Sequence, residues 1–185
     1  GNPAAIHPDF AGRVLTLKSY PITSDWKSVI SNPGADDGPS DLDSGHGTHV
    51  AGSVLGNGTA SAGGQALIRG HAYKAKLVFQ AVEQEMKWKP NAPPNVTSER
   101  YVLAGIPASL GPLFQFAYDQ GARIHSNSWG APNSAGRYDS WAVLTDTWLF
   151  AHPDYLAMFA AGNDGADLSR DGVIDERTVA SPGSA

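Results

Sequence analysis

Residues Lys76 to Val82 (KLVFQAV) form a nearly continuous apolar run, and this run constrains the architecture more than any other stretch. A strand with one wet face alternates polar and apolar residues. An unbroken apolar strand has to be covered on both faces, as in a parallel sheet flanked by helices. The rest of the chain keeps the same rhythm. Arg13 to Tyr20 (RVLTLKSY), Ala122 to Asn127 (ARIHSN) and Leu156 to Ala161 (LAMFAA) read as strands, while His46 to Leu55, Pro107 to Gln120 and Ser140 to Ala151 read as helices. The first helix places Val50, Ala51 and Val54 at helical spacing, with Ser44 as its N-cap. The second stops at Gly121. The third is amphipathic, with Trp141, Leu144, Trp148 and Leu149, and is closed by His152-Pro153. Strands alternating with helices predict an α/β fold, a doubly wound parallel sheet with helices on both faces. In such sheets functional sites form in loops beyond the carboxyl ends of strands, here Ser128 to Gly130 and Gly162 to Gly165.

A chain of 185 residues suits one domain with a single core, burying roughly 70% of the surface it exposes when unfolded. Hydrophobic residues at 41%, charged residues at 17%, 21 Gly and 13 Pro fit a globular, loop-rich chain rather than a disordered or fibrous one. The net charge of −5 comes without any run of Lys or Arg, so nucleic acid is not an expected partner. The absence of cysteine excludes disulfides, thiolate metal sites and thiol nucleophiles. No apolar stretch approaches the length of a membrane span. The N-terminus Gly1-Asn2-Pro3 has neither an initiating Met nor an export-signal pattern, which suggests that upstream residues have been removed.

The strongest chemical signal is Gly45 to Gly52 (GHGTHVAG) at the mouth of the first helix. A base for serine catalysis must hold its imidazole with one nitrogen toward the nucleophile and the other toward a carboxylate. A histidine on the first helical turn, between glycines that let backbone come close, meets that need. Thr48 can bond locally and restrict the ring further. The string resembles the histidine motif of the subtilase family, and the resemblance makes His46 the catalytic histidine and His49 the second, structural one. Two rival readings fail. A dinucleotide fingerprint needs glycine where Val50 stands, and a zinc site would leave His46 and His49 at i and i+3 without a third ligand.

Ala160 to Gly165 (AAGNDG) follows an apolar strand. Acyl transfer builds negative charge on a carbonyl oxygen, and a side-chain amide fixed at a strand end can donate to it. Asn163 is the candidate, and the similar stretch in subtilases supplies the oxyanion-hole asparagine. Ser126 to Gly130 (SNSWG) ends another strand, where an exposed edge can hold an extended peptide. Ser128, Trp129 and Gly130 match the subtilase substrate-binding strand, with Trp where the family more often has Leu. Asp167 to Asp175 (DLSRDGVID) has the alternating oxygen ligands and glycine turn of a calcium loop: Asp167, Ser169, Asp171, the Val173 carbonyl and Asp175. Its twelfth position is Thr178, not the Glu of an EF-hand. Asp36, Asp37, Asp41 and Asp43 read as solvated loop charges.

The resemblance extends over nearly the whole chain. His7 to Val14 (HPDFAGRV) is similar to the segment after the family's catalytic aspartate, and Val179 to Ala185 (VASPGSA) to the segment after the oxyanion asparagine. Within the family the sequence looks most like the alkaline, oxidation-tolerant bacterial branch. Neither the D-[ST]-G motif of the triad aspartate nor the G-T-S-M-A motif of the serine is present. Asp9 falls downstream of the aspartate position, and Ser184 lacks the nucleophile's context. Residues 1–185 are therefore expected to be a partial subtilase catalytic domain, inactive alone. The complete protein is expected to be a serine endopeptidase forming an acyl-enzyme, with polypeptide substrates, structural Ca2+ and no organic cofactor. It would be secreted, monomeric, and free of nucleic-acid or membrane partners. The alternative is a non-catalytic pseudo-protease or peptide-binding domain on the same scaffold.

Overall fold

The computed structural model describes residues 6–40, 43–61, 67–94, 99–131, 134, 136–163, 165–167 and 169–185. The single core expected from length resolves into two compact units, Gly1–Pro107 and Ala108–Ala185.

In the first unit, strand β1 (Val14–Ser19) pairs in parallel with β2 (Leu77–Ala81), joining Val14 to Leu77 and Ser19 to Ala81. Between them in sequence runs helix α1 (His46–Leu55). Every residue of β2 is half-buried, as its continuous apolar sequence requires. Ala51 and Leu55 of α1 are buried with Phe10, and Val14, Leu77, Val54 and Ile6 pack around them. Strand β3 (Gln84–Glu85) pairs antiparallel with β4 (Tyr101–Val102), a hairpin that the hydrophobic pattern did not reveal. It rests on a second cluster of Ile22, Ile30, Met86 and Ala104, where Trp26 and Trp88 meet edge to face at 6.0 Å. Asp37 is no solvated charge: its carboxylate accepts the Glu85 N–H at 2.8 Å, and its own N–H donates to buried Gln84 at 2.9 Å. Asp36 is exposed and accepts the Gly38 N–H, and Asp41 lies outside the described residues.

In the second unit, α2 (Gly111–Asp119) leads to β5 (Ile124–Asn127), and α3 (Ser140–Ala151) to β6 (Leu156–Phe159). β5 and β6 run parallel, Ile124 beside Leu156 and Asn127 beside Phe159. The face bearing His125 and Phe159 packs on Phe114 of α2, whose ring meets His125 at 5.4 Å and Phe159 at 6.3 Å. The opposite face leaves Ile124, Leu156 and Met158 exposed. α3 begins where Asp139 accepts the N–H groups of Trp141 and Ala142. Its packing differs from the expected stripe: Ala142 and Thr145 are buried, while Leu144 and Phe150 face outward. The fold is α/β, built on small parallel strand pairs. Among the described residues no helix is long and apolar enough to cross a membrane.

Candidate active site

His46 is the first residue of α1. The N-cap is Gly45 rather than Ser44, because the chain enters the helix through a left-handed residue at φ +71°, which glycine adopts without steric cost. Ser44 still serves the helix end, its Oγ accepting the His46 N–H at 3.2 Å. Gly47 lets the helix approach β2 closely: a Cβ there would stand 3.0 Å from the Phe79 ring. The first turn of α1 is thus seated directly on a strand. The imidazole of His46 is exposed, as is that of His49, and within this unit no described residue hydrogen-bonds the His46 ring. Asp9 has another task. Its carboxylate accepts the Ala60 N–H at 2.7 Å, and its carbonyl accepts the Asn57 N–H at 3.3 Å, tying down the loop after α1.

In the second unit, two sequence motifs meet. Ser128, Trp129 and Gly130 continue from β5, and Ala160 to Asn163 continue from β6. Both press on the segment 179–183. A Cβ on Gly130 would lie 2.9 Å from the Ala180 Cβ, and one on Gly162, at φ +109°, would lie 3.2 Å from the same atom. Hydrogen bonds hold the three segments together. The Ala180 N–H donates to Ala161 at 2.7 Å, and Ala131 and Ser181 exchange a pair at 2.8 and 3.3 Å. The buried Ser181 hydroxyl also donates to Asp139 at 2.5 Å, linking this segment to the N-cap of α3. Burial works against the charge on Asp139, but the Ser181 hydroxyl and the Ala142 and Trp141 N–H groups hold its pKa below the ordinary carboxylate value.

Around this junction part of the chain is left open. Asn163 is exposed, and the main chain of Ser128 to Gly130 hydrogen-bonds no described residue of its unit. The Trp129 ring turns inward, meeting Phe159 at 5.4 Å and Trp141 at 5.8 Å, both edge on. Its indole therefore braces the strand from the core side. Ser184 donates to the Arg137 carbonyl at 2.9 Å. A cavity of about 110 Å³ lined by Thr145, Leu149, Ala157, Phe159 and Pro182 includes none of the expected site residues. Ala180, Ser181 and Asp139 escaped the sequence reading because an alanine, a buried serine and a helix cap carry no chemical signature of their own.

The acidic loop closes on itself. The Asp167 carboxylate accepts the N–H groups of Gly172 at 2.9 Å and Asp171 at 3.1 Å, and the Ser169 hydroxyl at 3.3 Å. These donors, the Gly172 N–H foremost, hold its pKa below the ordinary value. Asp171 accepts the Val173 N–H at 2.9 Å. Among the described residues no group of three or more His, Cys, Asp or Glu side chains stands together as a ligand set.

Residues 4–185 match the subtilase family. The chain is similar to three Dictyostelium discoideum proteins described as serine protease/ABC transporter B family. It is 30% identical to tagD over 75% of this chain and 7% of that protein. It is 33% identical to tagB over 67% and 6%, and 27% identical to tagA over 78% and 7%. The chain thus spans less than a tenth of the length of these relatives. No solved structure matches significantly. With a helix-opening His46, an exposed Asn163 beside an open strand end, and a family match over nearly its whole length, the chain belongs to the subtilase family, a family of serine endopeptidases.

Proposed function

We propose that this chain is the middle part of a catalytic domain that hydrolyses peptide bonds in proteins through an acyl-enzyme. His46 acts as general base and then general acid, Asn163 donates to the carbonyl oxygen as it becomes an oxyanion, and Ser128, Trp129 and Gly130 hold the substrate backbone. The triad aspartate comes from a D-[ST]-G motif encoded upstream, and the nucleophilic serine from a G-T-S-M-A motif encoded downstream. The supporting observation is the convergence of Gly130 and Gly162 on Ala180, which sets an open strand end next to an exposed amide. A peptide laid along that edge would gain main-chain hydrogen bonds, and its scissile carbonyl would fall near the Asn163 amide, which can stabilise negative charge. On this reading the strands form one doubly wound sheet in the complete protein, which is a secreted monomer of the alkaline, oxidation-tolerant branch.

The test is the full-length protein with both flanking motifs verified. A fluorophosphonate probe should label the downstream serine, His46→Ala should abolish labelling, and Asn163→Ala should lower kcat with little change in KM. The scale for Asn163, on the order of 10²–10³-fold, comes from subtilisin itself. Absence of labelling in a folded protein would leave only a peptide-binding domain. We also propose Ca2+ at Asp167, Ser169, Asp171, the Val173 carbonyl and Asp175. The all-oxygen donor set supports a hard cation, and the backbone N–H groups that already bond Asp167 and Asp171 leave lone pairs on both carboxylates for it. Calcium titration by calorimetry should give a one-site isotherm that Asp171→Asn removes.

A further inference from the structure

Eight asparagines are spread along the sequence, and only Asn57 is followed by glycine. Glycine has no Cβ to shield its amide nitrogen, so Asn57-Gly58 is the peptide bond where the side-chain carboxamide is most open to attack from its own backbone. The pair lies just after α1, with Asn57 half-buried, Gly58 buried, and Thr59 and Ala60 exposed.

The surroundings favour that reaction chemically. The Asn57 Oδ1 accepts two donors from Thr59, the N–H at 3.0 Å and the hydroxyl at 2.6 Å. When a nucleophile adds to the carboxamide carbon, negative charge develops on Oδ1, and donors already aimed at that atom stabilise it. The attacking atom is free as well: the Gly58 N–H donates to no described residue. Nor does the Asn57 Nδ2, the atom that must leave, have a described partner. The main chain on either side is fixed, with the Asn57 N–H on the Asp9 carbonyl and the Asn57 carbonyl accepting from Arg69 Nε at 3.2 Å.

We propose that Asn57 is a site of spontaneous deamidation, promoted by Thr59. Hydroxide removes the Gly58 amide proton, the nitrogen bonds to the Asn57 side-chain carbon, and the bond to Nδ2 breaks as ammonia departs with a solvent proton. Water then opens the resulting succinimide at either carbonyl, giving aspartate or isoaspartate. The net change replaces an NH2 by an OH without oxidation or reduction. The isoaspartyl product lengthens the main chain by one carbon beside Asp9, and it loosens the loop that closes the helix begun by His46.

The test is incubation of the full-length protein, made in a bacterial host and checked for cooperative unfolding, in mildly alkaline buffer. Peptide mapping by mass spectrometry then follows each asparagine. Asn57 should convert ahead of all the others. Thr59→Val, which removes the hydroxyl but keeps the shape and the backbone N–H, should slow it about tenfold, the size expected for one lost hydrogen bond to the developing charge. In strong denaturant the two chains should convert at equal rates. The proposal is overturned if Asn57 survives while other asparagines convert, if Thr59→Val leaves the native rate unchanged, or if its effect persists in denaturant.

Discussion

Tyr155 carries its hydroxyl into the aromatic core of the second unit, where it meets no hydrogen-bond partner among the described residues. Burial pushes its pKa upward, as it must when the phenolate would lose water without replacement. A buried donor left unmade costs stability, and replacing it by an apolar ring of the same shape removes that cost. Tyr155→Phe should therefore be neutral or stabilising by about 1 kcal/mol, measured as a shift of the urea midpoint at constant slope. Gly130 presents the opposite case. An added methyl would sit 2.9 Å from the Ala180 Cβ and 3.0 Å from the Ser181 carbonyl oxygen, and both neighbours are buried. Gly130→Ala should cost about 1–3 kcal/mol from overpacking, and Ala180→Gly in the same chain should recover part of it. At this scale the sequence was legible only where a residue type announces its chemistry. His46 and Asn163 stand out in a string, whereas Ala180 matters only through the two glycines that close on it and the bond its N–H makes to Ala161.

Among the elements, α1 and α3 begin and end where their sequence patterns place them, because a helical period over three turns is a strong local signal. β3 and β4 were illegible: two residues each contain no period, and their pairing depends on Gln84 and Asp37 meeting across a loop. α2 starts at Gly111, four residues after Pro107, since residues 108–110 bend before the helix opens with Pro112 at its amino end. The inward packing of α3 also escaped, for the sequence shows where apolar residues lie but not which of them a neighbouring strand will cover. The most informative element test concerns Asp139. Its carboxylate caps α3 through two N–H groups and receives the Ser181 hydroxyl, so one side chain fixes both the helix and the segment under Gly130 and Gly162. Loss of an ordinary N-cap costs about 1 kcal/mol, and here a buried hydroxyl is orphaned as well. Asp139→Ala should lose about 2–3 kcal/mol in total, while Asp139→Asn, which can still accept, should lose distinctly less.

For the molecule as a whole, acid should act in two separable windows. His125 is largely enclosed, its ring edge-on to Phe114, and burial lowers its pKa from 6.5 to about 4. The unfolded chain therefore takes up a proton on this ring at a pH where the folded chain refuses it, and stability falls as pH drops from 6.5 toward 4. The full difference amounts to about 3 kcal/mol, reached only below the folded value. Asp139, Asp154 and Asp167 behave with the reverse shift: each is held below its ordinary 3.8, so their contribution is complete above that value and is lost only as pH falls further. Denaturant midpoints followed by tryptophan fluorescence should thus decline first between pH 6.5 and 4, and His125→Gln should flatten that limb while leaving the loss below 3.8 in place. A wild-type limb that stays flat above pH 4, or one that survives His125→Gln unchanged, would show that this imidazole is not enclosed in solution.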